Sequence, residues 1–155
     1  MNSDTSKTYY LSAAPQCPFP DLADNAMLNG TVRFDMIFVQ FYNNYCGLQS
    51  YVAGAEEQWN FNMNQWDTWA KTVSKSRDVK IFLGVPADLT AAGSGYTSSG
   101  ALQPIIEYSK TFGSFGGVMM WDASQAYANA GFLGQVKSAL TGTSVTKTRR
   151  IARKA

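Results

Sequence analysis

The chain has 155 residues, 45% of them hydrophobic, 14% aromatic and only 15% charged, which excludes a disordered chain and bounds the protein at one domain of ordinary size. No apolar run approaches the ~20 residues that span a bilayer, so no membrane partner is expected. Formal net charge is +2, yet the last nine residues hold five basic side chains and no acid, leaving eight basic against eleven acidic over residues 1–146; that body has no basic patch interleaved with aromatics, and no nucleic-acid partner is expected.

Residues 1–7 read as a disordered N-terminus, and the opening MNSDTSKTYY has neither the basic nor the apolar region of a secretory signal. Tyr9–Ala14 is a short apolar run ended by Pro15 and reads as a strand. Asp21–Asn29 is a short helix with an acid near its start. Phe34–Phe41 is β-branched, aromatic and almost continuously apolar, the pattern of a strand buried on both faces. Residues 44–58 form a loop. Trp59, Met63, Trp66, Ala70 and Val73 then recur at steps of three and four, which predicts one stripe of a helix. Val79–Val85 is a second strand of the buried type, stopped by Pro86. The stretch Ala87–Gly100 reads as a flexible polar loop. Ala101, Leu102, Ile105, Ile106 and Phe112 outline a helix with Pro104 in its first turn, where proline is tolerated. Gly117–Trp121 is a third buried-type strand. Phe132, Leu133, Val136 and Leu140 outline a last helix, and 143–155 read as a basic, disordered tail.

Strand and helix thus alternate four times, which predicts an α/β fold with a parallel sheet. The first strand–helix turn, Pro15-Gln16-Cys17-Pro18-Phe19-Pro20, has no glycine, so a phosphate cradle and a nucleotide cofactor are not expected. Polar and aromatic residues instead gather at the C-terminal ends of strands: Gln40, Tyr42, Asn43 and Asn44 after one, Trp121 and Asp122 after another. That end carries the active sites of (β/α)8 barrels, but such a barrel needs eight strands and about 250 residues. Residues 8–142 therefore read as half a barrel.

The sequence contains no histidine, which removes Ser-His-Asp and Cys-His triads, histidine bases and Cys/His zinc sites. Cys17 and Cys46 are too few for a four-thiolate metal site; they are read either as a disulfide between two strand-end loops or as buried free thiols. A disulfide would place the chain in an oxidising compartment, and the glycosylation sequon Asn29-Gly30-Thr31 points the same way.

Five segments carry a more specific signal. They are Tyr10–Asp21 (YLSAAPQCPFPD), Phe34-Asp35 with Val39–Asn44 (VQFYNN), Lys80–Ala87 (KIFLGVPA), Ala91–Tyr96 (AAGSGY) and Gly116–Trp121 (GGVMMW). In order and in spacing they resemble the class III chitinases of glycoside hydrolase family 18, plant or fungal, across residues 8–142. The resemblance implies a (β/α)8 barrel of which this chain is the C-terminal half, strands five to eight. It implies an extracellular protein, a substrate of chitin or N-acetylglucosamine oligomers, and no cofactor or metal.

In that family a glutamic acid protonates the glycosidic oxygen while the acetamido oxygen of the substrate attacks the anomeric carbon. The glutamic acid ends an Asp-x-x-Asp-x-Asp-x-Glu motif that is absent here. The nearest match, Asp21-Leu22-Ala23-Asp24, lacks the later residues, and the only glutamates are Glu56, Glu57 and Glu107. What the resemblance does carry over is the other side of the site. Gln40, Tyr42 and Asn43 match the strand-six motif, with Tyr42 donating its hydroxyl to the acetamido oxygen. Trp121 matches the tryptophan that floors the same subsite, and Cys17 and Cys46 match a family disulfide.

Other residues take structural readings. Trp59, Trp66 and Trp69 are expected to pack helix on sheet, Asp122 to cap a strand end, and Glu56 and Glu57 to sit in a solvated loop. Three outcomes are left for the whole: a partial hydrolase without its acid, a binding module for chitin oligosaccharides, or a truncated gene product. A half-barrel also leaves two sheet edges and an inner face open, so self-association or pairing with a complementary half is expected.

Overall fold

A computed structural model of the protein describes residues 6–142. The basic tail expected at 143–155 lies outside the described residues, as do residues 1–5. Four strands form one parallel sheet in sequence order: β1 (Ser12–Ala13), β2 (Met36–Gln40), β3 (Lys80–Pro86) and β4 (Phe115–Trp121). Between and after them come α1 (Asn25–Leu28), a 3-10 turn at Leu48–Ser50, α2 (Met63–Thr72), α3 (Ser99–Ser109), α4 (Ala123–Ala128) and α5 (Phe132–Thr141). No helix among the described residues is long and apolar enough to cross a membrane.

The sheet has one covered face. Ile37, Val39 and Phe41 on β2 and just past it, with Ile81, Leu83 and Val85 on β3, are fully buried. Val118 and Met120 of β4 pair with Leu83 and Val85 and therefore point the same way, since side chains two apart share a face. Trp66, Trp69 and Ala70 of α2, Leu102, Ile105 and Ile106 of α3, and Phe132 and Val136 of α5 complete this core. Phe41, Phe61 and Tyr108 meet inside it as an aromatic chain, at 4.9 and 6.1 Å between successive rings.

The intervening residues of the strands form a second face with no helix on it among the described residues. Phe38 and Phe82 lie there with ring centroids 5.0 Å apart. Continuous apolar strands were expected to be buried on both faces; in the described residues they are covered on one. The sequence pattern reflects a two-sided burial that the described residues do not themselves complete.

Several elements differ from the sequence reading, among them α1, which spans four residues rather than nine. β1 spans two residues rather than six: the Asp35 carboxylate accepts the Leu11 N–H at its start, and Tyr9 and Tyr10 ahead of it are exposed. The helix stripe begins at Met63, not Trp59, which lies outside α2 and is 87% exposed. Asn62 stands at the N-cap position of α2 without a side-chain capping bond, and Phe61 takes the buried place that Trp59 was expected to fill. Finally, α3 starts at Ser99, which moves Pro104 from the first turn into the second. The cost is one helical hydrogen bond to Gly100, whose position is exposed, so water can take up its carbonyl.

Gly84 sits between Gln40 and Met119 in register on the open face. A Cβ there would approach the Val39 carbonyl oxygen to 2.4 Å and the Met119 Cε to 2.9 Å. Only a glycine lets β2, β3 and the methionine side chain come this close.

Candidate functional site

The C-terminal ends of β2 and β4 enclose a groove of about 410 Å³, lined by Ala14, Phe38, Gln40, Tyr42, Asn43, Met119 and Trp121. Gln40, Tyr42, Asn43 and Trp121, singled out from the sequence, are thus brought together on the open face. Phe38 and Gln40 are two apart on β2, with Tyr42 two residues further on just past its end, and Met119 and Trp121 are two apart on β4, so the alternation aims them at one side.

Each is held differently. The Gln40 side-chain nitrogen donates to the Ala14 carbonyl at 2.7 Å, which locks its amide across the seam between β1 and β2. Tyr42 is almost wholly buried, and burial pushes its phenol above the ordinary value, so it is a neutral hydroxyl at neutral pH. Trp121 is 52% exposed at the end of β4, and its carbonyl accepts the N–H of Ala87 at 2.7 Å. The Trp121–Asp122 peptide is cis.

Asn43 has a left-handed backbone, φ 58°, a conformation asparagine adopts more readily than most residues. Its side-chain oxygen accepts the N–H groups of Gly93 and Ser94 at 2.8 and 3.2 Å, while its own N–H donates to Ser94. The glycine-rich loop after β3, expected to be flexible, is therefore tied down against the groove. Asn44 adds a second brace, donating to the Gln16 side-chain oxygen at 2.7 Å.

Cys17 and Cys46 form a disulfide with Cα atoms 5.9 Å apart. It joins the loops that leave β1 and β2. The Cys17 carbonyl also accepts hydrogen bonds from the Asn62 amide at 2.8 Å and the Trp66 indole at 3.1 Å, so the same loop is fastened to the start of α2.

The acidic residues lie elsewhere. Asp122 caps α4: its carboxylate accepts from the Ser124 hydroxyl at 2.6 Å and the Gln125 N–H at 3.1 Å, and the Ser124 bond first, then the Gln125 bond, hold it below the ordinary carboxylate value. It stays ionised and is a cap, not a proton donor. Glu56, Glu57 and Glu107 are exposed on a loop and on α3. None of the groove-lining residues is acidic.

Helix α4 was not read from the sequence, although Asp122 followed three residues later by Gln125 is a helix-start signature. Ala14, Phe38 and Met119 were also missed as lining residues; counting by twos from Gln40 and Trp121 finds Phe38 and Met119.

No family model matches the chain. It is 56% identical over 140 residues to a class III chitinase of Arthroderma benhamiae, covering 90% of this chain and 42% of that protein. Among solved structures, a chitinase from Ipomoea carnea superposes with a TM-score of 0.63 at 30% identity, over 84% of this chain and 44% of that one. A xylanase and alpha-amylase inhibitor protein from Scadoxus multiflorus gives 0.60 at 35% identity, over 88% and 45%. The chain spans less than half the length of the curated relatives it matches.

Proposed function

From a chain that is homologous to the class III chitinases of glycoside hydrolase family 18 over 90% of its length, and that folds as a partial (β/α)8 barrel, we propose a sugar-recognition half-site for chitin. The observation that carries this reading is the pairing of Tyr42 and Trp121, from two different strands, on one groove of about 410 Å³. The Trp121 indole offers a flat apolar face to a pyranose ring. The Tyr42 hydroxyl, a phenol that burial pushes further above its ordinary value, donates to the acetamido oxygen of N-acetylglucosamine. Gln40 orients the same group, and Asn43 acts chiefly through the loop it anchors.

Hydrolysis needs an acid that protonates the departing oxygen. Among the described residues no carboxylate lines the groove, which supports the reading that this chain by itself binds and orients the sugar without cleaving it. That same observation favours a second reading, a binding module. Retention on insoluble chitin separates recognition from chemistry: the wild type is expected in the pellet, Trp121→Ala in the supernatant, and no soluble oligomer should be released. Wild type left in the supernatant overturns the recognition reading; release of oligomers overturns the non-catalytic one.

The disulfide supports an oxidising, extracellular location. The uncovered face around Phe38 and Phe82 and the free edges of β1 and β4 support association, with a second copy or with a complementary barrel half.

A further inference from the structure

The sequon Asn29-Gly30-Thr31 takes no part in the groove, and no other asparagine of the sequence stands two residues before a serine or threonine. It lies at the end of α1, in the connection between β1 and β2. Asn29 closes the helix, its N–H donating to the Asn25 carbonyl at 2.9 Å. Its side-chain nitrogen donates to the Asn25 side-chain oxygen, four residues back on the same side of the helix. That side faces water. Asn29 and Ala26 are exposed, Leu22 in the turn just ahead is 96% exposed, and the helix sends only Leu28 into the core.

The middle residue of the sequon is fixed by the turn. A Cβ at Gly30 would lie 2.6 Å from the Ala26 carbonyl oxygen, so glycine lets the chain leave the helix at once and carry Thr31 into an exposed turn. The direction of α1 sets the sequon apart from the groove. The Asp21 carboxylate accepts the Gln16 N–H at 3.0 Å, and Gln16 bridges to Gln40 at the C-terminal end of the sheet. From Asp21 the chain winds away, and after Asn29 it re-enters the sheet at Met36, the opposite end of β2. Eight residues at helical rise carry Asn29 about 12 Å from Asp21.

We propose that Asn29 is an N-glycosylation site. The donor is an oligosaccharide carried on a lipid diphosphate. The Asn29 amide nitrogen forms a bond to C1 of the first sugar, and the C1–O bond to the diphosphate breaks. The lipid diphosphate leaves with the bonding electron pair, and the amide nitrogen gives up one proton. Thr31 supplies the hydroxyl that the sequon requires. The attached sugar stands beside Ala26 and toward Leu22, shielding apolar surface there, and leaves the groove open. The site rests on the reading of an oxidising location, which the Cys17–Cys46 bridge supports, and not on chitin recognition.

The test expresses the full chain behind a cleavable secretion leader in a eukaryotic cell and weighs the protein recovered from the secretory fraction before and after peptide-N-glycosidase. Wild type and Thr31→Ser should carry carbohydrate that the enzyme removes, leaving aspartate at position 29. Asn29→Gln and Thr31→Ala should carry none. Wild type without carbohydrate in that fraction overturns the site, and so does enzyme-sensitive carbohydrate that persists in Asn29→Gln. The bridge is read separately, by thiol alkylation with and without reductant. Free Cys17 and Cys46 overturn the reading of the location, while the site stands or falls on its carbohydrate alone. Retention on chitin that is absent in the glycosylated protein and appears once the sugar is removed overturns the placement away from the groove.

Discussion

Gly95 rests directly on Tyr42: a Cβ at position 95 would lie 2.8 Å from the Tyr42 Cα and 2.9 Å from its Cβ. The loop after β3 thus serves as a backstop for the tyrosine. Gly95 also has φ +96°, outside the range that L side chains readily adopt. Gly95→Ala should therefore cost about 2–4 kcal/mol, from strain plus overpacking. Urea denaturation measures the loss, and the variant should also bind chitin oligomers more weakly than its folded fraction explains. A change under half a kcal/mol, the size of an ordinary surface substitution, would show that the loop yields freely.

The Cys17–Cys46 bridge closes a segment with a sequence separation of 29. On the chain-entropy account, a loop of that length stabilises the fold by about 3–4 kcal/mol. Reduction, or the pair Cys17→Ser with Cys46→Ser, should lower the thermal midpoint sharply. Because the Cys17 carbonyl also anchors Asn62 and Trp66, hydrogen exchange at the start of α2 should rise with it. Unchanged exchange there would mean that α2 is held independently of the bridge.

Asp67 carries the clearest pH signature. Burial pushes its carboxyl up, but the Lys71 ammonium at 2.6 Å and the Ser114 N–H at 3.0 Å outweigh burial and hold it below the usual value. A group with a depressed folded pKa adds stability above its unfolded value, about 3.9, and loses that stability as pH falls through the folded value. Wild type should weaken below about pH 4. Asp67→Asn should be less stable by about 1 kcal/mol at pH 7 and should lack this contribution to acid sensitivity. Parallel stability–pH curves for the two proteins would contradict the assignment.

The open face predicts association. Phe38 and Phe82 expose apolar surface beside unpaired strand edges, a combination that invites pairing between chains. Sedimentation of the chain expressed alone should show a dimer or larger species, and Phe38→Glu should shift it toward monomer. A wild-type monomer that unfolds cooperatively would count against it.

Strand ends made the groove legible. Gln40, Tyr42 and Trp121 occupy positions where the pleat and the end of a strand together decide orientation, and both can be read by counting residues. Trp59 shows the limit. Its spacing from Met63 is helical, yet spacing does not say where a helix starts; Asn62 stands at the N-cap position, and the residue before it carries the burial. Helix α4 buries little besides Ala126, so its apolar pattern is too sparse to register, and only its cap marks it. The role of Asn43 depends on Gly93 and Ser94, fifty residues away in sequence, and no local pattern carries a contact of that range. The unpartnered Trp69 indole is likewise a fact of three-dimensional packing: the sequence marks the residue as buried but not its nitrogen as unsatisfied.

Gly84 has a consequence for how such a groove can change. It lies between Gln40 and Met119, and Met119 reaches the floor of the groove by packing its methyl group where the missing carbon would lie. Adding that carbon would push against the Val39 backbone, so the floor cannot be raised without parting the strands. Depth is then the fixed dimension of the groove and width the adjustable one. Any shift toward a different sugar must come through the two walls, at Tyr42 and Trp121.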